Sequence, residues 1–168
     1  MYANYDWYAL YVKSRHEFVT ERELIRKGIN TFLPSVKRLR HWKDRKKFVD
    51  FPLFPGYLFV YINAKPEEYV NVLRTRGAVH LVSTEIGCPT PVPTKEIDSL
   101  KLIIASGQKM DIHPHLKEGT IGRIKRGPLK GATGIIRNEA DQYTFMVSID
   151  ILGRSIGVKI CADDIESD

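Results

Sequence analysis

Few side chains in this sequence are of the types and spacings that do covalent chemistry. His113 and His115 make an H-x-H pair around Pro114, with no third residue at metal-ligand spacing. Cys88 and Cys161 stand far apart, which outlines neither a zinc site nor a disulfide framework. Asp163 and Asp164 are adjacent near an acidic end, where solvation explains them. No glycine-rich phosphate loop, Ser or Cys beside a base, or paired-carboxylate constellation is present. The expectation is a protein without catalytic activity, metal or cofactor, whose working groups are cations and aromatic rings.

The cations are concentrated. Residues 1 to 116 hold 18 Lys and Arg against 12 Asp and Glu, and residues 117 to 168 hold 8 against 8, so the whole formal charge of +6 lies in the first part. Within it Lys37, Arg38, Arg40, Lys43, Arg45, Lys46 and Lys47 face only Asp44. A run of this density points to a polyanionic partner, the alternative being a solvated loop. Trp42 stands inside the run as a stacking or docking aromatic.

The rings are concentrated as well. "FPLFPGYLFVYI", Phe51 to Ile62, spends five aromatic residues and two prolines on twelve positions. Strand alternation puts Tyr57, Phe59 and Tyr61 on one face and Leu58, Val60 and Ile62 on the other. The aliphatic face is the better core, which leaves the aromatic face for a partner unless both are buried.

The elements that must position these groups follow from local pattern. "WYALYV" (Trp7 to Val12) reads as a strand. Ser14 and Glu17 then stand at capping-box spacing before an amphipathic helix that stops at Gly28. "INTFLPSVKRLRHW" and "KKFVDFPLF" read as the arms of a hairpin with the positive cluster at its tip, and "GYLFVYI" as a fourth strand. "PEEYVNVLRTRG" opens with Pro at a helix N1 position, and "AVHLVS" is a fifth strand. After the proline-rich "GCPTPVP", Thr94 caps a helix from Lys95 to Ala105. The order β-α-β-β-β-α-β predicts an α+β domain over residues 1–106. A linker over 107–116 follows, and then a glycine-punctuated, β-branched module over 117–168 that predicts a small all-β barrel. No apolar run approaches the roughly 18 to 20 residues that a bilayer span needs. "MYANYDW" lacks the build of a secretory signal, so the expected location is cytoplasmic, without membrane contact.

In "IKRGPLKGATGII" a basic residue, a Gly127-Pro128 turn, Gly131 and Gly134 join two strands. This resembles the KOW motif of SH3-like barrels. A β-α-β-β-β-α-β domain carrying "LFPGYLFVYI" and "RTRGAVHLV", followed by one such barrel, resembles the NusG family of bacterial transcription elongation factors over nearly the whole chain. The short hairpin, "PLFPGYLFV" and "TRGAVHLV" are closer to its specialised RfaH-like antiterminator paralogs.

The resemblance implies an N-terminal NGN domain that docks on the clamp helices of RNA polymerase through Tyr11, Phe54, Pro55, Tyr57, Phe59 and Leu81. It implies contacts to non-template or upstream DNA from Lys13, Arg15, Arg26, Thr75 and Arg76, with Lys43 and Arg45 of the hairpin cluster placed to join them. It further implies a barrel loop at Ile151, Leu152, Gly153 and Arg154 that holds a small-subunit ribosomal protein or termination factor Rho. The implied activity is suppression of pausing and termination by a monomer. RfaH-like paralogs carry a His-Thr-Thr run where this chain has Glu67 to Val72, so a bridge across the polymerase cleft is not implied. The competing reading is a structural RNA-binding KOW protein of ribosome-associated type. The barrel's balanced charge argues against it, since RNA-holding modules usually carry their own basic surface.

Overall fold

β1 (Tyr5–Val12) alternates its side chains across a sheet, and apart from Asp6 both halves of the alternation are apolar or aromatic. The computed structural model describes residues 3–114, 119–140 and 142–166, and the chain divides into two compact units between Pro91 and Val92.

In the first unit β1 is followed by α1 (Glu17–Arg26), β2 (Asn30–Phe32), β3 (Ser35–His41), β4 (Lys46–Pro52), β5 (Tyr57–Asn63), α2 (Pro66–Leu73) and β6 (Ala78–Leu81), and the short β7 (Pro91–Val92) falls on the division itself. The main sheet has the order β2-β5-β1-β6, with β7 also paired to β1. The β1/β5 register is antiparallel from Tyr5↔Asn63 to Tyr11↔Tyr57, which puts directly opposed residues on the same face. Tyr8, Leu10 and Val12 thus share a face with Leu58, Val60 and Ile62, and with Leu24, Ile29, Leu33 and Val72 they form the aliphatic core. The division of "GYLFVYI" into an aliphatic core face and an aromatic face is therefore observed.

Two local expectations change in this unit. The two-arm hairpin splits at Leu33-Pro34: β2 joins the main sheet through Phe32↔Phe59, and only β3 and β4 form the separate two-stranded arm. A proline cannot donate to a ladder, so the break falls there. The Ser14 and Glu17 capping box does not form. The N-cap of α1 is His16, which makes no side-chain capping bond, and the Glu17 carboxylate accepts the Gly56 N–H at 2.9 Å rather than closing a box with Ser14. α2 begins as expected on Pro66, with Glu67 and Glu68 in its first turn complementing the helix dipole.

The second unit contains α3 (Thr94–Ala105), β8 (Asp111–Pro114), β9 (Thr120–Ile124), β10 (Thr133–Glu139), β11 (Gln142–Ile149), the 3-10 turn Asp150–Leu152, β12 (Arg154–Ile160), a second 3-10 turn Ala162–Asp164 and β13 (Ile165–Glu166). Its six strands run antiparallel in the order β13-β9-β10-β11-β12-β8 around Ile124, Phe145, Val147, Ile149, Ile156 and Val158. Residues 111–114, placed by sequence in a linker, are instead β8, paired with β12 from Gly157↔Asp111 to Arg154↔Pro114. α3 groups with this unit, packing on β10 and β11, and its Ser99 hydroxyl accepts the Thr133 N–H at 3.0 Å. Gly127 and Gly131 of the Gly-Pro turn have φ of +81° and +89°. Gly134 serves by close approach: a Cβ there would strike the Met146 carbonyl and come within 2.9 Å of the Phe145 ring. No helix among the described residues is long and apolar enough to cross a membrane.

Candidate functional site

The ladder that buries Leu10 against Leu58 turns Trp7, Ala9 and Tyr11 toward Tyr61, Phe59 and Tyr57 on the opposite face. Two ring groups result. In one, Trp7 meets Tyr61 at 5.2 Å and Phe32 at 6.4 Å, and Phe59 meets Phe32 at 6.1 Å and Phe54 at 6.4 Å. In the other, at the C-terminal end of β1, Tyr11 meets Tyr57 at 5.4 Å and His80 at 5.1 Å.

The groups differ in access. Phe54 and Phe59 are wholly buried, so the sequence expectation that they form exposed surface is corrected. Tyr11 is 37% exposed, Tyr57 is half-buried, and Pro55 and His80 are exposed. Leu81 is also corrected: it pairs with Leu10, and therefore belongs to the aliphatic core on the other face. Trp7, Phe32 and His80 are absent from the set read from sequence. Strand register is the signal that finds them, since each lies on the aromatic face of its strand or across from a ring.

The accessible rings sit where three turns meet. The Val12 N–H donates to the Gly56 carbonyl at 2.8 Å, and the Lys13 N–H donates to the Gly77 carbonyl at 2.8 Å. The Thr20 hydroxyl donates to the Arg76 carbonyl at 2.8 Å. This closure requires a glycine at position 77, whose φ is +88° and where a Cβ would strike Thr20 Oγ1 and lie 2.9 Å from His16 Cβ. Lys13, Arg15 and Arg76 are exposed around the end of β1 where Tyr11 stands opposite Tyr57 of β5. Arg15 adopts φ of +61°, a conformation uncommon outside glycine.

The remaining cations lie elsewhere. Arg26, at the far end of α1, is paired with Glu23 at 2.9 Å. Thr75 is corrected as a nucleic-acid contact: it is buried, and its hydroxyl accepts from Lys27 Nζ at 3.0 Å and donates to the Asn71 carbonyl at 3.3 Å. Lys43 and Arg45 are exposed at the tip of the β3–β4 arm, where Arg45 lies 5.1 Å over the Trp42 ring.

In the second unit Ile151, Leu152 and Arg154 are half-buried around the turn after β11, with Gly153 in the left-handed region at φ of +60°. Beside it Glu96 of α3 is pushed up to about 7 by burial and by the Asp150 carboxylate. His115 lies outside the described residues. Among the described residues no three His, Cys, Asp or Glu converge as a metal site, and both cysteines are exposed and free. The site at the end of β1 offers rings, hydroxyls and cations without a nucleophile beside a base, an arrangement for binding.

The family model described as "Transcription termination factor nusG" matches residues 5–101. The transcription termination/antitermination protein NusG of Staphylococcus carnosus is 24% identical over 171 residues, covering 95% of this chain and 94% of its own. The protein of the same name from Staphylococcus aureus strain Mu50 is 25% identical over 172 residues with the same coverage. A solved structure described as "Domain interaction in Thermotoga maritima NusG" matches with a TM-score of 0.52 at 22% identity, over 97% of both chains. With a family match over more than half its length and an N-terminal sheet with helices ahead of a C-terminal six-stranded antiparallel sheet, the chain belongs to the NusG family of transcription termination/antitermination factors.

Proposed function

We propose that this protein is an elongation factor that binds RNA polymerase through the aromatic end of β1 and suppresses pausing and termination. The observation that carries the reading is the convergence of exposed Tyr11 on β1 and half-buried Tyr57 opposite it on β5 with Lys13, Arg15 and Arg76 at one end of the sheet. Amphipathic rings of this kind suit the apolar face of a coiled coil such as the polymerase clamp helices. The adjacent cations suit the phosphates of a non-template strand running beside that coiled coil, a contact that positions without specifying sequence. Lys43 and Arg45 are placed to add a contact to upstream DNA.

On this reading the factor works by differential binding: it prefers the forward-translocated enzyme over the paused one, and so speeds elongation without chemistry of its own. The half-buried Ile151, Leu152 and Arg154 form the surface by which the second unit recruits a small-subunit ribosomal protein or Rho. The short β3–β4 arm and the "PLFPGYLFV" segment favour a specialised RfaH-like paralog working as a monomer.

The test is an equilibrium titration of the full chain against purified polymerase and against an isolated clamp-helix fragment. Saturable binding to both, weakened at least tenfold by Tyr11→Ala with Tyr57→Ala, is the expected result. No binding to the fragment by the unaltered chain would overturn the proposal.

A further inference from the structure

The β3–β4 arm is the most strongly charged element of the chain, and its two faces are not alike. Cross-strand register places Val36 with Phe51, Arg38 with Val49 and Arg40 with Lys47 on one face. Lys37 with Asp50, Leu39 with Phe48 and His41 with Lys46 lie on the other. The first face therefore carries three exposed cations and no acid. On the second, Lys37 is neutralised by Asp50 at 3.7 Å, and a bare apolar pair stands between the charges, with Leu39 44% and Phe48 65% exposed.

Two of these cations, Arg38 and Arg40, are also held. The Phe51 ring is half-buried, and the guanidinium carbons of Arg38 and Arg40 lie 5.7 and 4.8 Å from its centroid. A guanidinium seated on a ring keeps the N–H donors of its rim available, and planar rims of this kind match phosphate oxygens. Alternate residues on a strand are about 6.6 Å apart, and directly opposed residues are about 5 Å apart. Arg38, Arg40 and Lys47 thus form a patch that meets one stretch of a duplex carrying a charge every ~1.7 Å of axis.

We propose that this face of the arm, through Arg38, Arg40 and Lys47, is a binding site for the phosphate backbone of duplex nucleic acid. The inference rests on the nucleic-acid part of the proposed function and moves its centre of charge from the tip to one face. A duplex is favoured over a single strand because single strands are held largely by stacking of bare bases on bare rings. On this face the ring is half-buried and already carries Arg38 and Arg40. A duplex keeps its bases stacked inside and needs no ring. Such binding positions the arm without reading sequence.

The experiment measures binding of the full chain to a mixed-sequence 20-base-pair DNA duplex, and to its single strand, across salt concentrations and without polymerase. Two variants remove equal charge from opposite faces: Arg38→Gln with Arg40→Gln, and Lys37→Gln with Lys46→Gln. The first pair is expected to weaken duplex binding about tenfold and to flatten the log–log salt slope by about 1.8, or about 0.9 for each phosphate no longer neutralised. The second pair is expected to change affinity less than threefold. As a readout that does not depend on removing the arginines, Lys47→Cys and Lys46→Cys, each carrying a photo-crosslinker, place probes on adjacent residues of opposite faces. Crosslinking to duplex is expected mainly from position 47. Equal losses from the two charge-removing pairs, equal crosslinking from the two positions, or tighter binding of the single strand would each overturn the proposal. An unaltered chain that binds duplex through this face yet does not bind polymerase would remove the elongation reading and leave this site standing. Polymerase binding without a face-dependent duplex contact would remove only this site.

Discussion

Glu96 is the most consequential titratable group in the second unit, and its replacement by Gln makes a quantitative prediction. It lies in the first turn of α3, with Oε2 buried and without a hydrogen-bond partner among the described residues. Burial and the nearby Asp150 carboxylate raise its pKa from 4.5 to about 7, and a backbone hydrogen bond at Asp150 offsets this only in part. A carboxyl raised on folding binds protons more tightly in the native state than in the unfolded one. Its contribution to stability is complete below the unfolded pKa and is lost as pH climbs through the folded one, in a window from about pH 4.5 to 7. The full difference corresponds to about 3 kcal/mol at roughly 1.4 kcal/mol per decade, and screening at this part-exposed position lowers it to about 1 to 2 kcal/mol. The assay is amide exchange at Thr133, whose N–H is held by Ser99 of the same helix and so reports α3 seated on β10. Between pH 5 and 8 its protection, corrected for intrinsic exchange, is expected to fall about 5- to 30-fold in the unaltered chain, and to stay level in Glu96→Gln. A fall of the same size in both proteins, or in neither, would refute the reasoning.

Two further substitutions test how the end of β1 is built. Glu17→Ala leaves the Gly56 N–H without its carboxylate, and is expected to cost about 2 kcal/mol in urea unfolding, the range for a hydrogen bond to a charged group; a loss under about 0.5 kcal/mol would deny that bond its part in holding the turn before β5. Gly77→Ala forces a methyl onto Thr20 and His16 at a positive φ, for an expected cost of about 3 kcal/mol and a Tm lower by roughly 10 to 20 °C; an unchanged Tm would show that the three turns are not closely packed.

Much of this architecture is legible in the chain because punctuation and period agree. Gly28, Pro66 and Gly77 bound helices and turns at the positions their residue types predict, and alternation in "GYLFVYI" separates the aliphatic face from the aromatic one. What is not legible depends on partners distant in sequence. The Ser14 and Glu17 spacing is that of a capping box, yet Glu17 bonds Gly56, 39 positions away. Leu81 reads as a neighbour of the rings, but its pairing with Leu10 turns it to the other side. Alternation assigns Phe59 to the correct face without setting its exposure, which is zero. The stretch Asp111–Pro114 has no period of its own and becomes a strand only through its ladder with β12. The basic run is plain, but the division of its charges between a covered-ring face and an apolar face needs the β3/β4 register.

The central claim is that accessible Tyr11 and Tyr57 bring this factor to a transcribing polymerase. The most direct measurement is the lifetime of a defined pause with purified polymerase, in the presence of the unaltered chain and of the Tyr11→Ala/Tyr57→Ala variant at equal concentration. The account predicts a shortened pause with the first and the factor-free lifetime with the second, while circular dichroism shows both folded. A pause unchanged by the unaltered chain, or shortened equally by the two, would contradict it.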